Sequence, residues 1–320
     1  MLPSMQPRAL ALASALGLFG CATVKPQSSN DGGGGGGGGA APVDAAQDAA
    51  PRPTDGPSFD FSTSDRPPPA PGKVYAHSDS TLWLLEPISK QVTMVGAFDC
   101  VSSGAVSSMV DIAVDRTGKM TGSAAISFNN ALGGALVSID PTNAHCTVLT
   151  RGADLVTSLT YVPEGTLVAN AEALVGYADD KYVSVDPATG ALTQIGLLND
   201  AASGGVTWFS SGDVVSIENG GTYLTVKAQS GNPGGGSGDR IVEVDPKTGA
   251  LKRVIGATGS NDVLGLGYWG GIAYGFTLAG TLIQIDLMTG AGTPISIPNA
   301  PADLAFYGAG TTTVAPITVD

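Results

Sequence analysis

The chain has 320 residues, a formal net charge of −13, and only 13% charged and 6% aromatic residues against 46 glycines. That acidity repels nucleic-acid phosphates and offers no basic patch to anionic lipid, so nucleic acid is excluded as a partner. Many glycines among short β-branched runs point to an all-β repeat protein.

Residues 1–20 read as a secretory signal, with Arg8 as the positive element and an apolar run from Ala9 to Phe19 ending at the small residue Gly20. That run is too short to span a bilayer. Leu18-Phe19-Gly20-Cys21 resembles the lipobox of bacterial lipoproteins. The resemblance implies that Cys21 carries the lipid and becomes the mature N-terminus, and Ala22 after it implies the outer membrane. An ordinary signal peptide followed by a chance cysteine is the alternative. Residues 21–72 contain Gly32 to Gly39 in an unbroken row and then Pro67-Pro68-Pro69-Ala70-Pro71. Such composition predicts a disordered linker with a reach of ~40 Å.

Residues 73–320 repeat one phrase: strand, acid, Pro, turn, strand. The fullest copies are Val185-Asp186-Pro187-Ala188-Thr189-Gly190 and Val244-Asp245-Pro246-Lys247-Thr248-Gly249. Looser copies carry Glu86, Asp140 and Asp286. The carboxylate accepts N–H groups just ahead of it, Pro supplies the fixed φ, and Gly takes the left-handed turn. The recurring acids are therefore read as turn builders first and as ligand contacts second.

A second recurring element, an apolar strand running into a Gly turn, alternates with the first. Examples are Asp111-Ile112-Ala113-Val114 and Ser158-Leu159-Thr160-Tyr161. The acidic turns lie 41 to 59 residues apart, the period of a four-stranded propeller blade. The first and last units each lack strands that the other supplies. The expectation is a five-bladed β-propeller closed by pairing of its N- and C-terminal strands, with 229–239 as an inserted loop; an open β-solenoid is the rival. The V-D-P-x-T-G phrase resembles the secreted quinoprotein-like and NHL/YVTN-type bacterial propellers. That resemblance implies the fold and leaves the activity open, because such folds carry many functions.

Cys100 and Cys146 fall in neighbouring units, and an exported domain meets an oxidising compartment. A disulfide is expected, with two buried free thiols as the alternative. His77 and His145 are read as surface or edge residues.

Aligning the inner strands places Asp111, Ser158, Gly205, Gly265 and Asp303 at equivalent positions around one channel mouth. Asp111, Ser158 and Asp303 could there hold a Ca²⁺-like cation or a polar ligand, or each acid could cap its own strand. Trp208, Tyr268, Trp269, Phe306 and Tyr307 are expected to pack between blades, with a sugar or peptide as the ligand if any face the channel.

The function expected is a lipid-anchored outer-membrane protein, monomeric in its folded part, facing the periplasm or cell surface. Its propeller binds a protein, peptide or glycan of the envelope without catalysis. The alternative is a propeller enzyme of lactonase or lyase type with a metal at the mouth.

Overall fold

The computed structural model describes residues 72–128, 131–199, 203–230, 238–298 and 300–319. The signal segment, Cys21 and linker residues 21–71 lie outside the described residues, as does the centre of the inserted loop, 231–237.

Among the described residues, twenty strands form five antiparallel four-stranded sheets arranged in a ring. The first blade holds β1 (Val74–His77), β2 (Thr81–Leu85), β3 (Val92–Ala97) and, on the inside, β20 (Gly308–Thr311). The second runs outward through β4 (Ser108–Val114), β5 (Met120–Phe128), β6 (Ala131–Ile139) and β7 (Cys146–Ala153). The third is β8 (Ser158–Val162), β9 (Ala173–Ala178), β10 (Lys181–Val185) and β11 (Leu192–Leu197). The fourth is β12 (Trp208–Ser216), β13 (Thr222–Ala228), β14 (Arg240–Val244) and β15 (Leu251–Ala257). The fifth is β16 (Val263–Trp269), β17 (Ile272–Thr277), β18 (Leu282–Ile285) and β19 (Gly292–Ile295).

The ring closes where β20 pairs with β1, Val74 opposite Thr311 and His77 opposite Gly308. This is the expected five-bladed β-propeller. The closing blade, however, is shared as one C-terminal strand and three N-terminal strands, because Val74–His77 forms a strand that the repeat pattern did not mark. Closure removes the two edges that an open stack of sheets would expose.

Apolar side chains alternate along each strand and meet those of the next blade. The result is five separate buried clusters, one at each blade interface. Between the third and fourth blades, for example, Tyr177 and Tyr182 are fully buried with Val226 and Val242. Each large side chain removed from water contributes ~1.5–3 kcal/mol, so the interfaces hold the disc together.

The repeated phrase has a structural reason. Asp186 Oδ1 accepts the N–H groups of Ala188 and Thr189 at 2.8 and 3.3 Å, and Asp245 does the same for Lys247 and Thr248. Gly190 and Gly249 then adopt φ of 71° and 68° and donate to the acid's own carbonyl. The glycine that ends the phrase seats the next blade. A Cβ at Gly196 would lie 1.7 Å from the Thr248 carbonyl oxygen, and one at Gly256 would lie 1.9 Å from that of Thr289. β3, at Gly96, and β11 and β15 thus each keep a hole for the following blade's turn.

Cys100, in the single turn of helix α1 (Asp99–Ser102), is joined by a disulfide to Cys146 at the start of β7, with Cα atoms 5.5 Å apart. It staples the first blade to the second across 46 residues of sequence.

Candidate functional site

The inner strand of a propeller blade is an edge strand. One side pairs within the blade, while the other turns its N–H and C=O groups toward the axis. When the axis is buried, those N–H groups need acceptors.

Two carboxyl groups supply them. Asp111 Oδ1 accepts the N–H of Ile112 at 2.8 Å and Oδ2 that of Leu159 at 2.5 Å. Asp213 Oδ1 accepts Val214 N–H at 2.7 Å, and Oδ2 accepts Leu266 and Ala309 N–H at 3.2 and 3.1 Å. These five donors sit on β4, β8, β12, β16 and β20, one from every blade. Asp111 and Asp213 are buried and hydrogen-bond each other. A single pair of acids from non-adjacent blades therefore ties all five inner strands together.

The other equivalent positions are Ser158, Gly265 and Gly308, and Gly308 leaves the space beside Asp111. A Cβ on Gly308 would lie 2.6 Å from Asp111 Oδ1 and 2.3 Å from His77 Nε2. Ser158 is buried, and its hydroxyl accepts the Tyr177 N–H at 3.2 Å. Burial pushes both carboxyls above their ordinary range, and at Asp213 the charge of Asp111 adds to it. Two acids in contact inside a dry core do not both ionise, so the pair holds at least one proton at neutral pH.

His77 lies beside them and is fully buried, which corrects its reading as a surface residue. Its Nδ1–H donates to the Ser78 carbonyl at 2.7 Å, leaving Nε2 as a lone pair 3.9 Å from Asp111 Oδ1. Among the described residues Nε2 has no hydrogen-bond partner. Burial lowers the His77 pKa to about 4 and keeps the ring neutral. His145 is exposed, as expected, and pairs with Asp99.

The structure keeps Asp111, Ser158 and Gly265 on the inner strands and moves the other two positions. Gly205 is exposed in the turn before β12. The acid of that blade is Asp213, which the sequence pattern hid inside an apparent Ser-Gly-Asp turn. In fact β12 runs through Gly212, and a bulge between Ser210 and Val214 absorbs the extra residues. Asp303 does not join Asp111. It is exposed in the segment ahead of β20, where Gly308 takes the axial place.

The two ends of the axis differ. At the lower end the chain crosses beneath the ring after β20. Thr312 bridges Val114, the Thr313 carbonyl accepts Glu218 N–H at 2.7 Å, and the Pro316 carbonyl accepts Gly270 N–H at 2.7 Å. The Thr313 hydroxyl bonds Glu172. These contacts reach the second, third, fourth and fifth blades and close that end. At the upper end a hollow of about 350 Å³ stays open above the acid pair, with Ser108, Thr157, Ser211, Leu264 and Tyr307 each contributed by a different blade. A second hollow of about 490 Å³ adjoins it, lined by Asp79, Trp83, Asp303 and again Tyr307. Of the five aromatics singled out above, Trp208, Tyr268 and Phe306 are buried between blades, and Tyr307 is 41% exposed where the two hollows meet.

Asp99, Cys100 and Cys146 also converge, with ligand atoms within 4.8 Å of one another. The two sulfurs are joined to each other, which leaves no thiolate for a metal.

Fold and axis together define a five-bladed β-propeller with a knitted core and one open mouth. No protein-family model and no curated protein matches the chain. Among solved structures it is similar to an oligogalacturonate lyase in complex with manganese, at 11% identity and a TM-score of 0.36, over 71% of this chain and 62% of that one. It is also similar to BamB from Moraxella catarrhalis, at 13% identity and a TM-score of 0.28, over 69% of this chain and 75% of that one. This chain spans less than two thirds of the lyase's length.

Proposed function

We propose that the chain is an exported lipoprotein, held at the outer membrane through Cys21, whose propeller is a non-catalytic module binding an envelope partner at its upper mouth. The observation that carries this reading is the asymmetry of the axis. One end is closed by the chain's own C-terminal segment, while the other presents a hollow of mixed polar and apolar lining to which all five blades contribute. Ligand sites favour such concave meeting points of structural units. The lipobox-like Leu18-Phe19-Gly20-Cys21 supplies the anchor, and the Gly/Pro linker supplies reach.

The metal-enzyme reading loses its ligand set. A cation between Asp111 and Asp213 would compete with five backbone N–H groups for the same oxygens, and Asp303 stands elsewhere. The acids are better described as structural acceptors that close the channel floor.

Two measurements test the proposal. In fractionated cells the full chain should sediment with membranes and its Cys21→Ser form should be soluble; identical distribution of the two would overturn the anchor. A photoreactive residue replacing Ser108 at the upper mouth should give a saturable cross-link in intact cells, and one replacing Asp186 on the lower rim should give none. Equal cross-linking at both positions, or at neither, would contradict binding at the mouth.

A further inference from the structure

Resting on that reading of the upper face, we propose that the 490 Å³ cleft beside the mouth is a subsite for a neutral saccharide. Its size lies within the range of small-ligand sites, ~300–1000 Å³. Its walls are the β1–β2 turn with the start of β2 on one side and the segment leading into β20 on the other.

The chemistry of those walls selects among ligands. Backbone groups of the walls are already engaged: Ser78 N–H bonds the Thr81 carbonyl, Phe98 N–H bonds that of Ser80, Met109 N–H bonds that of Asp79, and Tyr307 N–H bonds that of His77. No strand edge is left there for a peptide to extend, so side chains must do the recognising. Asp79 and Asp303 offer exposed carboxylates with no salt-bridge partner among the described residues. They call for hydrogen-bond donors and repel anions.

Trp83 lines the same cleft half-buried, and its indole N–H has no surface open to the cleft, so its ring is what it offers a ligand. An acidic sugar would meet two carboxylates. A neutral sugar hydroxyl both donates and accepts, and its ring C–H face suits the aromatic side chains of Trp83 and Tyr307. Tyr307 is an exposed ring on an otherwise polar rim, placed where a chain of sugar units could pass from the cleft into the mouth.

The test uses the full-length Cys21→Ser chain and reads tryptophan fluorescence while maltotriose, cellotriose or chitotriose is added. Trigalacturonate and trilysine serve as charged comparators. At least one neutral trisaccharide should give a saturable change that Trp83→Phe abolishes, although Trp208 and Trp269 still report. Tyr307→Ala should weaken it about tenfold and Asp303→Asn several-fold. Both positions are exposed, so folding is unaffected, and an unchanged circular dichroism spectrum verifies this. Absence of response to all three neutral sugars, or a stronger response to either comparator, overturns the assignment. If the Ser108 cross-link persists in that case, the saccharide reading alone falls; if it is lost as well, the binding reading falls with it.

Discussion

The rim and the axis of this propeller use the same side chain to opposite ends. On the rim, Asp140 is half-buried and Asp186 exposed, each accepts N–H groups two or three residues ahead, and their pKa is lowered chiefly by the Thr142 hydroxyl and the Ala188 N–H respectively. At the axis, Asp111 and Asp213 are buried, accept N–H groups up to 96 residues away, and have their pKa raised by burial. A carboxylate that serves its own turn shapes one hairpin. A carboxylate that serves neighbouring strands holds the ring.

The sharpest way to break this contrast is Asp213→Ala, which strands three buried N–H groups on three blades. We expect a loss of about 4 kcal/mol, seen as a fall in Tm of ~10 °C by circular dichroism. A loss no larger than that of a rim variant would refute the axial role. Next in size is Gly256→Ala, whose new Cβ would collide with the Thr289 carbonyl; about 3 kcal/mol should be lost in urea unfolding. A neutral outcome there would mean that the repeat's final glycine does not seat the next blade.

These two variants also mark what was legible in the sequence. The rim could be read because its chemistry is local: acid, Pro and Gly at fixed spacing build a turn whatever surrounds them. Blade count and ring closure followed from counting such turns. The axis was half legible. Asp111 and Ser158 opened recognisable apolar strand phrases, but Asp213 was masked by the bulge at Ser210 to Val214, and Asp303 lies in the segment ahead of β20 and not on the axis. Side chains that bond across blades leave no periodic trace, and the bulge in β12, with two more residues than β13 opposite it, shifts where along the strand the axial position falls. His77 was misread for the same reason, since burial at the axis depends on β1 pairing with β20.

A third effect is the response to pH, where the two regions have opposite signs. The axial acids have folded-state pKa values above the unfolded value, Asp111 reaching about 8. Their contribution is complete below about pH 4 and is withdrawn as pH rises toward that value. Stability should fall across this window with a slope of up to ~1.4 kcal/mol per pH unit for each proton the pair retains. Asp213→Asn, which needs no such proton there, should flatten it. Rim carboxylates act the other way, stabilising above their unfolded pKa and losing that effect in acid. A wild-type chain equally stable at pH 6 and pH 9 would contradict the axial account. The smallest effect belongs to Asp186→Ala, which should leave the ring intact and move Tm by only ~1–2 °C.

The proton itself gives the most direct test. With aspartate labelled at the side-chain carboxyl carbon and resonances assigned through Asp111→Asn and Asp213→Asn, carbon-13 NMR follows both groups through a titration. At least one proton held by the pair at pH 7 and released only in alkali is the result this structure requires. Two carboxylates fully ionised by pH 5 would mean that Asp111 and Asp213 do not meet at the axis.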